Sequence, residues 1–264
     1  MKYEYILMEK EAGIATLTLN RPDKLNAVHE AMGHEFMEAM ETLGHDSEVR
    51  VVVVGGAGKA FCSGGDLDGF MALVEARERG EAGVFHPDFR RRVPFILRGM
   101  PQPVIASLHG AVMGLGFSIA LNCDLRIAAE DTRFGTGHLR LGLSSECGST
   151  YILPRLIGLS RALELTLTGR SWDAREAERI GLVNSVVPND RLHAATYELA
   201  RTIAAGPPLS LPIIKRLMHQ GLYADLPSQV EAEALAIQGL FQTRDHAEGV
   251  RALFQKRPPI FQGR

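Results

Sequence analysis

The chain has 264 residues, of which 45% are hydrophobic and 23% are charged, and its formal net charge is -2 at pH 7. This composition predicts a globular protein with a sizeable core, and it argues against nucleic acid or a membrane surface as the main partner. The three cysteines are widely spaced, which argues against a disulfide framework and favours a reducing compartment. Because we find neither a signal-peptide pattern nor an apolar run long enough to cross a bilayer, we expect a cytoplasmic protein.

The first sixty residues predict two strands, a helix and a buried strand. "YEYILME" and "GIATLTL" have strand composition and are separated by a hairpin-like gap. After a break at "NRPDKLNAV", apolar side chains at helical spacing predict a helix over residues 30–43. "VRVVVVGGAG" is a β-branched run that ends in glycines, which is typical of a strand buried on both faces of a parallel sheet.

The middle of the chain alternates short strands with small-residue turns. Residues 72–92 are charged and show no strand pattern, so we expect a helix or a mobile segment there. "PVIASLHG" predicts a buried strand, and "AVMGLGFSIALNCD" predicts a turn of small residues followed by an apolar helix. "LRIAA" and "TRFGT" predict two further strands.

Helices dominate the chain after Ser160. "DAREAERIGL" predicts a short amphipathic helix that ends at Gly181, and "VNSVVP" predicts a late strand. Residues 190–254 show helical patterns almost throughout. Strand–helix units followed by helices alone predict an α/β core with a helical appendage, and the break is expected near residues 190–210.

Two segments place glycines directly after a buried strand, namely "VVVVGGAGKAFCSGGDLDGF" and "PVIASLHGAVMGLGFSIAL". Backbone N–H groups at such turns can stabilise an oxyanion, although the glycines can equally serve only the turns. Neither segment is a phosphate-binding fingerprint. The sequence therefore offers two candidate donor loops and no nucleotide-phosphate motif.

Most of the other candidate acids and bases have a structural explanation that we prefer. Asp66 precedes an apolar stretch and is expected to cap a helix, and Asp124 comes before a strand and is expected to be structural. His109 and His138 are bases by type, but for each we expect a core or supporting position rather than catalysis. Without a GxSxG or HExxH motif, we expect neither a triad hydrolase nor a metal site.

The segment "GHLRLGLSSECGSTYILPRLIG" contains a single carboxylate, Glu146. If Glu146 is buried beside Leu143 and Cys147, its pKa should be raised, as a base that works near neutral pH requires. The alternative is a helix-capping glutamate, which the helix dipole favours. Composition alone leaves these two readings open.

Six segments, in chain order, resemble the crotonase superfamily, that is, the enoyl-CoA hydratase/isomerase family. Each segment alone is a weak match, but together they cover essentially the whole chain. They are "LNRPDKLNAV", "GKAFCSGGDL", "HGAVMGLGFSIALNCDLRIA", "FGTGHLRLGL", "LTGRSWDAREAERIGLVNSVVP" and "KRPPIFQGR".

The resemblance implies an α/β fold in which a spiral of ββα units, residues 1–195, precedes a C-terminal helical trimerisation region, residues 196–264. It implies a homotrimer or homohexamer. It also implies an acyl-CoA thioester substrate, no metal, and no cofactor beyond the coenzyme A that is part of the substrate.

The resemblance further implies an oxyanion hole formed by the backbone N–H groups of Gly65 and Leu115. In hydratases of the family the second of these positions is usually glycine. The two glutamates with which those hydratases hold a water correspond to Ser118 and His138. Neither residue is an acid, so ordinary water addition loses both of its usual groups.

Glu146 aligns instead with the single acid of the peroxisomal-type Δ3-Δ2-enoyl-CoA isomerases, and ring-epoxide isomerases of phenylacetate breakdown carry an aspartate there. We therefore expect a double-bond isomerase in which Glu146, without a partner, swings between C2 and C4 of the acyl group. A dehalogenase branch also has an acid at this place. The dehalogenase chemistry also uses a histidine that lies before the strand corresponding to "PVIA", and this chain has Phe95 at that position.

Two alternatives stay open. One is an enoyl-CoA hydratase in which His138 or Glu146 handles water, and the other is a CoA-thioester-binding protein without catalysis. Lys256 and Arg257 could contact a phosphate, although we prefer a solvated C-terminal face for this pair. By resemblance the substrate-binding residues are Lys24, Leu25, Ala27, Ser63, Gly64, Asp66, Leu67, Gly114 and His138.

Overall fold

The computed structural model describes residues 3–81 and 88–264. Its strands form two sheets, both of which contain parallel pairs. The strands are β1 (Ile6–Glu11), β2 (Ile14–Leu19), β3 (Val51–Gly56), β4 (Val104–Leu108), β5 (Ala111–Met113), β6 (Leu125–Ala129), β7 (Arg133–Gly135), β8 (Trp172–Asp173) and β9 (Ser185–Val187).

The α-helices cover the sheets and make up the C-terminal part of the chain. They are α1 (Glu30–Gly44), α2 (Leu67–Glu78), α3 (Asp88–Gly99), α4 (Gly114–Asn122), α5 (Ser149–Ile157), α6 (Leu159–Thr168), α7 (Ala174–Arg179), α8 (Leu192–Ala204), α9 (Ser210–Gly221), α10 (Leu226–Leu240) and α11 (Arg244–Gln255).

The sheet order explains why the fold is a spiral. The large sheet runs β1-β2-β3-β4-β6-β9, with β1 antiparallel to β2 and the other neighbours parallel, and the small sheet runs β5-β7-β8. Each of β4 and β6 lies in the large sheet, the next strand along the chain lies in the small sheet, and a helix follows. Two successive turns of the chain are thus ββα units, which confirms the predicted α/β spiral.

Strand β3 shows how the side-chain pattern positions the core. Val52 and Val54 belong to the main hydrophobic cluster, which includes α1 and α4. Val51 and Val53 belong to a second cluster on the other face of the sheet, where α8 packs. Because both faces are covered, the run of four valines is fully buried, as the sequence predicts.

Two predictions for the middle of the chain need correction or completion. Ala111–Met113 is a strand rather than a turn of small residues, because it pairs in parallel with β7 in the small sheet. The charged stretch 72–92 is helical over residues 72–78 and 88–92, since α2 ends at Glu78 and α3 begins at Asp88. Residues 82–87 lie outside the described residues.

The C-terminal region is helical, as predicted, and consists of α8 to α11. Helix α8 spans the predicted boundary between residues 195 and 196 and packs on β2, β3, β4 and β6. The division at that point, and a role of the helices in trimerisation, stay predictions. Within the part of the chain that the structure describes, none of the helices has the length and apolar character needed to cross a membrane.

Candidate active site

A cavity of about 800 Å³ opens beside the loops that follow β3 and β5. Every residue that the sequence predicts for catalysis or substrate binding lines it. These residues are Lys24, Leu25, Ala27, Ser63, Gly64, Gly65, Asp66, Leu67, Gly114, Leu115, His138 and Glu146. Segments far apart in the chain therefore meet at one place.

The two glycine loops approach each other closely at this cavity. Gly64 has φ +121°, which favours glycine, and a Cβ on Gly116 would lie 2.5 Å from the Cys62 Cβ. Leu115 is in the first turn of α4, where an N–H has no acceptor within the helix. Among residues 3–81 and 88–264, neither Gly65 nor Leu115 donates a backbone hydrogen bond. Among the residues that the structure describes, the cavity wall thus contains two N–H donors without an acceptor, and donors of this kind can stabilise an oxyanion.

Ser118 is not part of this cavity. It is fully buried within α4, and its hydroxyl donates to the Gly114 carbonyl at 3.3 Å. Ser118 is therefore not available to act on a substrate in the cavity, because it is not an acid and its hydroxyl is already hydrogen-bonded within the helix.

Glu146 lies between two basic side chains, which was not predicted from the sequence. The expectation that it works without a second carboxylate stays a prediction. The Arg90 Nε–H donates to Glu146 Oε2, and His138 Nε2 lies 3.1 Å from Glu146 Oε1. Because an ionised carboxylate only accepts, Nε2 carries the proton in this hydrogen bond. His138 is 6% exposed, and its Nδ1 is buried without a hydrogen-bond partner among the described residues.

The direction of the pKa shift at Glu146 is also opposite to the prediction. Burial raises the pKa of the Glu146 carboxyl, but the hydrogen bond from His138 and the positive charge of Arg90 lower it by more. The pKa of Glu146 therefore lies below its ordinary value. The sequence shows the apolar neighbours that cause the first effect, but the two partners come from other segments of the fold.

The loop that carries Glu146 is held by neighbouring backbone contacts. Asn122, at the end of α4, donates through Nδ2 to the Cys147 carbonyl at 2.8 Å, and the Ser149 N–H donates to the Glu146 carbonyl at 3.0 Å. The N-cap of α5 is Gly148, and no side chain caps this helix. The helix-capping alternative for Glu146 is therefore wrong.

Asp66 caps α2, as predicted, by accepting a hydrogen bond from the Asp68 N–H. It also accepts from Arg21 at 3.0 Å, while Asp68 pairs with Lys24 at 2.9 Å. The other two carboxylates that line the cavity are thus a helix cap and an exposed ion-pair partner.

The remaining candidates lie outside the cavity. His109 Nε2 contacts the Gly58 carbonyl at 3.1 Å, and Asp124 is in a buried cluster, which confirms its structural position. Lys256 and Arg257 are exposed, and Arg257 pairs with Glu248. No group of three or more potential metal ligands occurs among residues 3–81 and 88–264.

Arg90 is the residue at this site that sequence reasoning missed. It follows Phe89, and Phe89, Val93 and Leu97 form the buried stripe of α3. Arg90 thus borders this stripe, whereas Arg91 and Arg92 point to solvent. The helical phase of this apolar stripe is the signal that could have separated Arg90 from its two arginine neighbours.

Comparison with known proteins agrees with this geometry. The family model described as "Enoyl-CoA hydratase/isomerase" matches residues 9–264. The chain is 36% identical to a protein of Rhodobacter capsulatus named "Probable enoyl-CoA hydratase", with 100% of both chains covered. It is 33% identical to the "1,2-epoxyphenylacetyl-CoA isomerase" of Escherichia coli, with 99% of both covered.

A solved structure shows the same fold over the same extent. The crystal structure of an enoyl-CoA hydratase from Bacillus anthracis superposes with a TM-score of 0.92 at 33% sequence identity. The match covers 99% of this chain and 100% of the other. The relatives therefore carry both hydratase and isomerase names.

Proposed function

The chain belongs to the enoyl-CoA hydratase/isomerase family, and on this premise we propose that it moves the double bond of a 3-enoyl-CoA to the 2-position, with Glu146 as its acid/base group. The observation that carries the proposal is the identity of the cavity carboxylates. Asp66 is a helix cap and Asp68 is an exposed partner of Lys24. By the resemblance to the family, Ser118 and His138 correspond to the acids of its hydratases. Glu146 is left as the acid that faces the acyl group.

In the proposed mechanism the thioester carbonyl oxygen accepts hydrogen bonds from the N–H groups of Gly65 and Leu115. Glu146 removes a proton from C2 of the acyl group, and the negative charge spreads to the carbonyl oxygen as a dienolate. The protonated Glu146 then delivers the proton to C4. The base is worth about a hundred- to ten-thousandfold in rate, and each oxyanion donor roughly a hundredfold or more.

The partners of Glu146 alter one detail of this scheme. Hydrogen bonds from His138 and Arg90 hold the carboxylate from two sides. A carboxylate held in this way reaches C2 and C4 through small movements or through its two oxygens, rather than by a wide swing. His138 acts here as a positioning group, and the resemblance to peroxisomal-type isomerases stays a proposal.

The coenzyme A part of the substrate is assigned to Lys24, Leu25 and Ala27, which line the cavity together with the segment from Ser63 to Leu67. The Lys24 ammonium, which pairs with Asp68, supplies positive charge there. We assign no separate cofactor, because the thioester itself supplies the acidic C2 proton once its carbonyl is polarised.

Hydration of a 2-enoyl-CoA is the second candidate. It is supported by the relatives named enoyl-CoA hydratase and by the His138–Glu146 pair at 3.1 Å, which offers two polar groups for a water. In this alternative Glu146 and His138 take the place of the two glutamates. The isomerase is preferred because His138 Nε2–H is already donated to Glu146, which leaves one acid for proton transfer.

A paired assay separates the two candidates. Purified protein is given a 3-enoyl-CoA and a 2-enoyl-CoA, and the same assays are repeated with Glu146→Gln. We expect conversion of the 3-enoyl ester, slow hydration of the 2-enoyl ester, and loss of the isomerase rate by about a hundred- to ten-thousandfold in the variant. Fast hydration that survives Glu146→Gln would contradict the proposal.

A matched control is Glu164→Gln, which removes an exposed carboxylate that pairs with Arg170 and does not line the cavity. We expect this variant to retain the wild-type rates. Loss of activity in both variants would mean that the assay reports general damage rather than the chemistry of Glu146.

Assembly as a homotrimer or homohexamer and a cytoplasmic location stay predictions. Exposed apolar side chains on the C-terminal helices support the first of these, because large apolar residues on a helix surface favour burial against another subunit. They include Leu226, Leu235, Ile237, Leu253 and Phe254.

A further inference from the structure

Both oxygens of the Glu146 carboxylate are engaged in the substrate-free cavity. Oε1 accepts from His138 and Oε2 accepts from Arg90. A base that removes a C2 proton needs an oxygen lone pair directed at the substrate and a proton affinity that is not suppressed by a neighbouring cation. Each oxygen keeps a second lone pair, so the hydrogen bonds alone do not block the base. The neighbouring cation lowers the proton affinity of the carboxylate, which favours the departure of one partner when an acyl group binds.

His138 is the partner that cannot yield easily. It is 6% exposed, and within the described part of the chain its Nδ1 has no hydrogen-bond partner. If the ring moved away from Glu146, both ring nitrogens would be buried without partners, which is costly. We therefore expect His138 to keep its hydrogen bond to Glu146.

Arg90 is in a different position. Its side chain is 20% exposed, and a guanidinium has five N–H donors that water can satisfy. Arg90 also lines a second, smaller cavity of about 150 Å³ beside the main one, together with Phe70 and Leu115. The guanidinium thus has space to move into when it leaves Glu146.

We propose that Arg90 is a positioning residue that holds the Glu146 carboxylate in the empty cavity and releases it when an acyl group enters between α3 and Glu146. This proposal rests on the role of Glu146 proposed above. Before substrate binds, the ion pair keeps the buried carboxylate ionised and oriented. After substrate binds, the same carboxylate is free of the cation and shielded from water.

The release makes Glu146 a stronger base at the moment it is needed. Burial, which raises the pKa of Glu146, is the largest single influence on that group, and His138 and Arg90 together outweigh it. Without Arg90 the balance moves towards burial, and an acyl group that displaces water increases the same effect. The pKa of Glu146 should therefore be higher in the enzyme–substrate complex than in the free enzyme.

The pH dependence of the two kinetic constants tests this directly. The acid limb of kcat/KM reports the pKa of the base in the free enzyme, and the acid limb of kcat reports its pKa in the enzyme–substrate complex. In the wild type we expect the kcat limb to lie about one to three pH units above the kcat/KM limb. In Arg90→Gln the kcat/KM limb should rise towards the kcat limb and narrow the gap, and Arg90→Lys should restore part of the gap.

The matched control is Arg92→Gln, which removes the same charge from the same helix but at the exposed pair with Glu41. We expect its two limbs to lie where those of the wild type lie. A purely structural role of Arg90 would lower the rates without moving either limb. If Arg90→Gln does not fold, Arg90→Lys is compared in its place, and its gap should be narrower than that of the wild type.

Two results would overturn the inference: coincident limbs in the wild type, or a gap in Arg90→Gln as wide as that of the wild type. These differ from failure of the proposed function. If Glu146→Gln retains the isomerase rate, Glu146 is not the base. If Glu146→Gln is inactive but the wild-type limbs coincide, only the role of Arg90 is wrong.

Discussion

Glu146 and Asp124 have nearly the same partners, but Glu146 lies at the large cavity and Asp124 lies in a buried cluster outside it. Asp124 Oδ1 accepts from His219 Nε2 at 2.9 Å and its Oδ2 pairs with Lys215 Nζ at 2.8 Å, just as Glu146 lies between a histidine Nε2 and a basic side chain. At Asp124 too, burial raises the carboxyl pKa, while His219 and Lys215 lower it by more. Residue types and the direction of the pKa shift therefore do not distinguish the acid that we propose as catalytic from a structural one.

The two clusters differ in how many of their hydrogen-bonding groups are paired and in whether they lie at the cavity. Lys215 is 8% exposed and also donates to the carbonyls of Leu97 and Gln102, so all three of its N–H donors are used. This ammonium fastens α9 to the end of α3. Glu146, in contrast, lines the large cavity together with the unpaired N–H groups of Gly65 and Leu115.

The largest effect that would test this contrast is a loss of stability at the Asp124 cluster. Lys215→Met leaves a buried carboxylate without its cation and two carbonyls without a donor. We expect the free energy of unfolding to fall by about 3–5 kcal/mol, measured by urea denaturation. The rate per folded molecule should stay within a few-fold of the wild type, because Lys215 is outside the main cavity.

Lys10→Met serves as the control for that variant, since Lys10 pairs with Asp46 at the surface. An exposed ion pair contributes little, so we expect almost no change in unfolding. Equal stability losses in the two variants would mean that the Lys215 cluster does not fasten α9 in solution.

The complementary variant is Glu146→Gln, for which we expect the reverse pattern. The free energy of unfolding should change by no more than about 2 kcal/mol, because hydrogen bonds to a charged group are lost but the partner Arg90 can be hydrated. The isomerase rate should fall as stated above. A stability loss as large as that of Lys215→Met, with activity retained, would make Glu146 a structural acid like Asp124.

The smallest expected effect is on stability at low pH. Both carboxyls have a pKa in the folded protein below the ordinary value of about 4 that applies when unfolded. Each therefore stabilises the fold fully above that value, and its contribution is lost as the pH falls through the lower, folded pKa. We expect the free energy of unfolding to decrease below about pH 4.

Urea denaturation at a series of pH values checks this prediction. Glu146→Gln should make the decrease shallower, because one of the groups that must be protonated is absent. An unchanged slope in this variant would show that Glu146 has the same pKa in the folded and unfolded states.

Much of the fold was predictable because it depends on local patterns. The valine run of β3, the apolar spacing of α1 and the glycine that follows α7 are each readable from neighbouring residues. The strand β5 was not, because three residues become a strand only through pairing with β7. Short elements of this kind are decided by the partner strand rather than by their own composition.

The site divides in the same way. The sequence by itself determined the two glycine loops and the single carboxylate, Glu146, of residues 137–158, because each is a local pattern. The family resemblance implied that they meet at one substrate site, and the structure places them at one cavity. Only the tertiary structure decided the electrostatics of Glu146, because His138 and Arg90 approach it from a turn and a helix that lie apart in the chain. A pKa depends on distances between charges and on burial, and neither quantity is local in sequence.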